Sequence, residues 1–299
     1  MDTVLTHPSL PRCAFPPDRG VERTEGGLRT RGHLKTSRAG RPLVTIVTVV
    51  FNGVQQIEAT LQSVIAQTYD NIEYLVVDGG SDDGTLDILR KYEDRIDYWV
   101  SERDAGIYDA MNKGVDLAGG AWINFMNAGD SLFDKHTISL IFSDPAKTHG
   151  IDVIYGDALI VYPQYGYLSR VRKAGRLCDL WKGMQFSHQS VLIAAEYIKR
   201  NKFNPAYHLA ADFDLLYSAY RQNRAFFYTG RALASTSAGG ASDIQRVRVY
   251  RERLRIVSRK NDKAPALLYY SVKMADACAK VVLKRVLPAG IIKKVILKK

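Results

Sequence analysis

At Leu43 the chain passes from an unpatterned polar stretch into a regular succession of apolar runs. Val44 to Val50 is unbroken and β-branched, the pattern of a strand buried on both faces of a parallel sheet. Val54, Ile57, Leu61, Val64 and Ile65 then recur at helical spacing as far as Gln67-Thr68. Ile72 to Val77 repeats the buried-strand pattern, Leu86, Leu89 and Tyr92 mark a second helix, and Asp97 to Val100 is a short strand. A helix from Gly106 to Leu117 and a strand from Trp122 to Met126 complete the series. Strand and helix in alternation predict right-handed βαβ units and an α/β fold with a mainly parallel sheet.

Beyond Asp130 the pattern is less regular. Lys135 to Ile141 reads as a short helix, Ile151 to Tyr155 as a strand, the Tyr-rich stretch Leu159 to Val171 as a hairpin, Leu209 to Tyr220 as a helix and Phe226 to Tyr228 as a strand. Past Ile244 the chain is helical and basic, with Pro265 and Pro288 as breaks. Residues 1–41 are polar and rich in Pro and Gly, the composition of a flexible extension. The predicted organisation is therefore an extension over 1–41, an α/β domain over 42–243 and a basic amphipathic helical tail over 244–299.

Composition sharpens this picture where charge is concerned. With 299 residues, 46% of them hydrophobic, the chain can bury a full core, which excludes a disordered protein. Its formal charge is +11, but residues 244–299 hold 16 Lys and Arg against 3 acidic residues and residues 1–41 hold 8 against 4, so the segment between is net negative by 6. The basic character belongs to the ends. An acidic core that binds a polyanion needs compensating cations, and a divalent metal is one source. Cys13, Cys178 and Cys278 match no metal or redox spacing and read as reduced thiols. No apolar h-region marks a signal peptide, and no run reaches the ~18 apolar residues of a spanning helix.

In an open parallel sheet, ligands bind beyond the carboxyl ends of the strands. Here those ends carry Phe51-Asn52-Gly53, Asp78-Gly79-Gly80-Ser81 and Asn127-Ala128-Gly129-Asp130. Phe51 can lie against a base and Asp78 can accept from a base imide; equally, Asp78, Ser81, Asp82 and Asp83 can close a turn and cap a helix. Asp130 can ligate a cation that bridges a diphosphate, or cap the following helix. Asp212 and Asp214 open an apolar helix at i and i+2, point to different sides and cannot form a paired dyad, so one can serve as a general base while the other is structural. His188 can touch a phosphate, a metal or an acceptor, or be a satisfied core histidine. Gly239-Gly240, within Ser235 to Ser242, can be a closing loop or a linker. There is no nucleophile elbow, Walker A sequence or zinc spacing, and the absence of Gly-x-Gly-x-x-Gly weakens a dinucleotide-dependent oxidoreductase reading.

Taken in order, Thr45 to Asn52, Gln67-Thr68-Tyr69, Glu73 to Thr85, Ser101 to Gly114 and Gly120 to Asp130 closely resemble the N-terminal half of family 2 glycosyltransferases, in particular the subgroup associated with bacterial surface polysaccharides of the colanic-acid type. The likeness continues more loosely through His188, Asp212 and Gly239-Gly240. It implies a GT-A nucleotide-diphospho-sugar transferase fold and inversion by direct displacement. Thr48, Phe51, Asn52, Asp78, Gly79, Ser81 and Asn112 would hold the donor, Asp130 would bind Mg or Mn against the diphosphate, Asp212 would be the base, and His188, Asp109 and Lys113 would be accessory. The implied partners are a nucleotide-diphosphate sugar and a glycan or lipid-linked acceptor. Two departures stand out: the usual Asp-x-Asp is Asn127-Ala128-Gly129, and Met111 occupies the place of an Arg before Asn-x-Gly. A diphosphate contact must then come from Lys113, Arg103 or the C-terminal region.

In the tail, Val281, Val282, Val286, Leu287, Ile291, Ile292, Val295 and Ile296 lie among Lys and Arg, a pattern that suits the anionic inner face of the cytoplasmic membrane or, alternatively, packing on the catalytic domain. Three rivals to a transferase remain. A lapsed sugar-nucleotide-binding module predicts donor binding without turnover, and a nucleotidyltransferase shares the architecture but fits the motif series less well. A nucleic-acid binder predicts steeply salt-dependent binding and is opposed by the acidic core.

Overall fold

The structure is a computed structural model that describes residues 23–163, 166, 168–240, 244–259 and 263–286. The predicted βαβ series forms as β2 (Val44–Val50), α1 (Ile57–Ile65), β3 (Ile72–Asp78), α2 (Thr85–Lys91), β4 (Tyr98–Ser101), α3 (Ile107–Leu117) and β5 (Trp122–Phe125), preceded by a short β1 (Thr24–Gly26). Then come β6 (Ser131–Leu132), α4 (Thr137–Ile141), β7 (Val153–Tyr162), β8 (Leu168–Arg172), β9 (Val191–Ala194), α5 (Ala195–Asn201), α6 (Ala211–Arg221) and β10 (Phe226–Ser237). The chain ends in two helices, α7 (Arg246–Arg259) and α8 (Lys263–Val286).

One sheet runs in the order β1-β4-β3-β2-β5-β9-β7-β10-β6, with β8 paired to β7. β4, β3, β2 and β5 are mutually parallel, β7 and β10 are parallel, and β9, β1, β6 and β8 pair antiparallel, so the sheet is mixed but largely parallel. Alternate residues of β2 face opposite layers. Val44, Ile46 and Val50 pack with α1, α2 and α4, whereas Val47 and Val49 pack with α3, α5, α6, α7 and α8. α3 lies so close that a Cβ on Gly114 would sit 2.4 Å from Val47 Cγ1.

Described residues at both chain ends pack on the domain. Residues 23–41 strap the sheet: β1 adds to β4, and the Arg29 guanidinium pairs with Glu73, which is 2% exposed and also accepts from the Thr45 hydroxyl at 2.6 Å and the Gly119 amide at 2.7 Å. Lys35 reaches buried Asp97 at 2.8 Å. A carboxylate buried in a strand requires such cations, and the Arg and Lys of this segment supply them. At the other end, Val249, Ile256 and Val257 of α7 and Ala266 and Tyr270 of α8 are buried, so this part of the basic tail is a wall of the domain. Pro265, expected as a break, sits in the first turn of α8, where its missing N–H costs no helical bond.

Of the apolar positions that suggested a membrane face, Val281, Val282 and Val286 fall in the last turns of α8, and Leu287 to Ile296 lie outside the described residues, as does Pro288. Among the described residues no helix is long and apolar enough to cross a membrane.

Candidate functional site

The carboxyl ends of β2, β3 and β5 meet as the parallel topology requires, and the loops that follow them are tied together. Asn52, at φ 50°, accepts from the Asp82 amide through its side-chain oxygen at 3.0 Å, and its own amide donates to Ser81 Oγ at 2.7 Å. Asp78 is fully buried and receives the amides of Ser81 at 2.9 Å and Gly80 at 3.1 Å, together with the hydroxyls of Ser81 and Ser101. Of the two roles open to Asp78, closing the turn thus engages both of its oxygens. Phe51 is 65% exposed and its Cβ lies close to Gly79, where an added Cβ would meet the Asp104 carboxylate at 2.6 Å and Phe51 Cβ at 3.4 Å. The result is a braced shelf with one aromatic face open.

Two expected donor residues are elsewhere. Thr48 is fully buried within β2 and its hydroxyl meets Tyr74 Oη at 3.0 Å inside the core. A strand residue two positions before the end points into the helix layer and does not reach the loop surface. Asn112 spends both halves of its amide on Phe203, donating to its carbonyl at 2.8 Å and accepting its N–H at 2.9 Å, and so fastens the α5–α6 connection to α3. The basic candidates also divide. Lys113 is held by Glu102 at 2.9 Å and by the Arg103 carbonyl at 2.9 Å, and Asp109 accepts the Ala105 amide at 3.0 Å. Arg103 itself is exposed, with its backbone against Gly80. Met111 is buried in the core beneath α3.

On the far side of the shelf the fold collects Asp130, His188 and Asp212 from three separate segments. Asp212 stands at the start of α6, where its Oδ1 accepts the Phe213 amide at 2.8 Å and the Tyr108 hydroxyl at 3.0 Å. His188 Nδ1 lies 3.4 Å from Asp212 Oδ2, and its Nε2 lies 3.2 Å from Asn127 Nδ2. The two side chains are 25% and 15% exposed, so the cluster is shielded yet reachable. Asp130 accepts from Gln189 Nε2 at 2.6 Å and from the Ser237 amide at 3.3 Å, the latter delivered by the pairing of β10 with β6. Asp214 turns away toward Tyr197 and Tyr207, as the i and i+2 spacing requires.

Electrostatics separates the roles. Burial alone would raise the Asp212 pKa, but the His188 hydrogen bond and charge, the Arg253 charge and the Phe213 amide outweigh it and hold the carboxyl below the ordinary aspartate range. For His188, burial would lower the pKa, and the bond and charge of Asp212 with the charge of Asp130 raise it above the usual histidine value. Asp130 moves the other way: burial pushes it up against the opposing influence of His188, Gln189 and Ser237.

The C-terminal wall completes this side. Glu252 of α7 is buried and receives the amides of His208 at 3.2 Å and Leu209 at 2.9 Å, fixing the turn that leads into α6. Next to it, Arg253 stacks on Phe213 at 5.5 Å and fills the space in which a side chain on Gly183 would lie. Sequence reasoning passed over Tyr108, Gln189 and Glu252. The available signal was a lone acidic residue in the midst of a basic helix, and two polar residues inside motifs already singled out.

Residues 45–222, more than half of the chain, match the sequence profile described as Glycosyl transferase family 2. The chain belongs to that family. Similar proteins include a PGL/p-HBAD biosynthesis glycosyltransferase of Mycobacterium tuberculosis, 35% identical over 122 residues covering 40% of this chain and 48% of the relative. Another is the glycosyltransferase AglE of Haloferax volcanii, 32% identical over 130 residues and 42% of each chain. The match spans about half the length of these relatives. Among solved structures, S. aureus TarS 1-349 in complex with UDP-GlcNAc aligns with a TM-score of 0.57 at 17% identity over 76% of this chain and 70% of that one. Mannosyltransferase PcManGT of Pyrobaculum calidifontis in complex with GDP-Man and Mn2+ aligns with a TM-score of 0.55 at 18% identity over 83% and 77%. At such identities the likeness fixes the fold, which is that of the GT-A transferases.

A family 2 site implies a divalent cation, and the residues present fit one of a particular kind. Among the described residues no three His, Cys, Asp or Glu gather to hold a metal unaided. Asp130 is a single carboxylate whose burial leaves its charge poorly compensated, and the Asn127 side-chain amide, three positions earlier, faces His188 Nε2 at 3.2 Å. That donor set suits a cation that arrives already coordinated by a diphosphate and needs one or two protein oxygens.

Proposed function

We propose that this chain is an inverting nucleotide-sugar glycosyltransferase with Asp212 as its general base and Asp130 as the protein ligand of a donor-bound Mg or Mn ion. The observation that carries this reading is the convergence of Asp130, His188 and Asp212 beside the braced shelf of Phe51 and Gly79, at the carboxyl edge of the parallel strands.

On this reading Phe51 covers a face of the nucleoside, while Asn52, Asp78 and Ser81 hold the two loops in the shape that receives it. Arg103, the exposed cation beside Gly80, is the contact for the diphosphate in place of the engaged Lys113. A cation shared by Asp130 and the diphosphate would offset the charge left on the departing nucleotide. Asp212, kept ionised by His188, removes the proton of an acceptor hydroxyl as that oxygen bonds to the anomeric carbon. The bond from this carbon to the diphosphate oxygen breaks in the same in-line step, its electron pair leaves with the nucleoside diphosphate, and the configuration inverts.

The acceptor we infer is a glycan or lipid-linked saccharide of the bacterial cell surface, a reading supported by the similar chain named for PGL/p-HBAD biosynthesis. A place at the anionic inner face of the membrane is supported by α8, which exposes Leu267, Leu268 and Val272 on a helix that also carries Lys273 and Lys280. A second reading, a sugar-nucleotide-binding module without turnover, draws on Asn127 in place of the first carboxylate of the metal motif.

The test is a thermal-shift panel of UDP-, GDP-, dTDP- and CMP-sugars with and without Mn, followed by transfer to extracted membrane acceptors. A metal-dependent shift with one nucleotide class and transfer lost in Asp212→Asn supports the transferase. A shift without turnover favours the binding module, and no shift in folded protein removes the donor site.

A further inference from the structure

The base itself carries a constraint that the catalytic reading does not use. Asp212 Oδ1 is occupied twice, by the Phe213 amide at 2.8 Å and by the Tyr108 hydroxyl at 3.0 Å, whereas among the described residues Oδ2 meets only His188 Nδ1 at 3.4 Å. A carboxylate oxygen has two lone-pair directions, so Oδ1 is saturated and Oδ2 retains one. The hydroxyl is a donor here, because burial and the neighbouring Asp212 charge hold the phenol in its neutral form. Tyr108 is half-buried and its ring rests on Phe203 at 5.5 Å, itself edge-on to Phe125 of β5 at 5.1 Å, so the phenol cannot swing without disturbing the core.

The segment that delivers Tyr108 is braced with unusual completeness for a loop. Asp104 Oδ1 accepts the Gly106 amide at 2.8 Å, Asp109 Oδ2 accepts the Ala105 amide at 3.0 Å, and Lys113 clamps Glu102 and the Arg103 carbonyl, each at 2.9 Å. Its other end lies against the donor shelf, with Arg103 backing Gly80 and the Asp104 carboxylate beside Gly79. One short stretch therefore touches the nucleoside loop and the base.

We propose that Tyr108 is a positioning residue for Asp212, holding Oδ1 so that the free lone pair of Oδ2 faces the acceptor hydroxyl, and that Asp109 and Lys113 act by bracing the segment that carries it. This rests on Asp212 being the base. A hydrogen bond to a charged partner that orients a reacting group is worth roughly tenfold to a hundredfold in rate. The groups facing Asp212 are Tyr108 from α3, His188 ahead of β9, Arg253 from α7 and the Phe213 amide, and none of the others can replace the phenol at Oδ1.

The experiment compares full-length wild type, Tyr108→Phe, Asp212→Asn and the double variant. Turnover is measured with labelled UDP-, GDP-, dTDP- and CMP-sugars and a membrane lipid extract as acceptor, and crystal structures are determined for wild type and Tyr108→Phe. Tyr108→Phe is expected to lower kcat roughly tenfold to a hundredfold with donor KM unchanged, to add nothing in the Asp212→Asn background, and to free the Asp212 carboxylate to rotate in the crystal. Unchanged kcat, or an equal loss added on top of Asp212→Asn, overturns the proposal. If wild type transfers from none of these donors, the transferase reading fails by itself, and an unrotated Asp212 carboxylate in Tyr108→Phe separately overturns the positioning role.

Discussion

His188 Nδ1 faces Asp212 Oδ2 at 3.4 Å, and each side chain holds the other in its charged form. The pair joins the turn before β9 to the first turn of α6, and it brings an imidazolium between two carboxylates, since the Asp130 charge acts on the same ring.

Replacing His188 with Phe should expose this coupling through pH. The folded Asp212 pKa is depressed, so its stabilising contribution is present above the ordinary aspartate value and disappears as pH falls through the folded midpoint. The folded His188 pKa is raised, so its contribution is complete below about 6.5 and is lost as pH climbs through the folded midpoint. Urea denaturation should therefore show a stability gap between wild type and His188→Phe that is wider at pH 5.5 than at pH 8.5. In the same variant the acid limb of the kcat/KM profile should move upward, because Asp212 loses the partner that keeps it ionised.

Asp212→Asn keeps the size of the side chain and removes its basicity. Transfer should fall by roughly 10²- to 10⁴-fold, the range associated with a general base, while the donor-induced shift in melting temperature is retained. Loss of donor binding together with transfer would place Asp212 in the donor pocket instead.

For Asp130 the expectation is reversed. Asp130→Ala should abolish the part of the donor-induced stabilisation that requires Mn and leave the fold intact, because its partners Gln189 and Ser237 are polar groups near the surface of the cluster. Differential scanning fluorimetry with nucleotide alone, Mn alone and both together measures it. A metal-dependent shift of wild-type size in the variant would reassign the cation.

The N-terminal strap makes a purely structural prediction. Arg29 pairs with Glu73 and also donates to the Leu117 carbonyl at 2.8 Å. Arg29→Met would leave a buried carboxylate without its cation, and stability in urea should fall by about 3 kcal/mol with little change in donor binding, since Glu73 sits at the strand end remote from the shelf.

Part of this protein is written in local sequence. The β-branched run Val44–Val50 and the apolar-rich Ile72–Val77 are satisfied by burial on both faces, and the helices between strands return the chain in one hand, so the parallel half of the sheet follows from the pattern. The motif ends at Phe51, Gly79 and Asp130 are legible for the same reason, because such a sheet always presents the carboxyl ends of its strands. The second half is different. β10 runs from Phe226 to Ser237 although the pattern marks a strand only over Phe226 to Tyr228; it continues through a bulge because β7 pairs with it on both sides of that point. Thr48 and Asn112 lie inside the motifs yet face the core and Phe203, since direction within an element is decided by what packs against it.

Along the chain, residues 1–41 are polar and unpatterned and the segment beyond Ile244 is basic and amphipathic, which sets the first apart as an extension and leaves the second open between a membrane face and packing on the domain. Only the tertiary structure joins Arg29 to Glu73, Glu252 to the turn before α6, and Tyr108, His188 and Asp212 to one another. Local propensity and periodicity act over a turn or a strand, whereas a catalytic cluster is made of side chains that meet only after the core has closed.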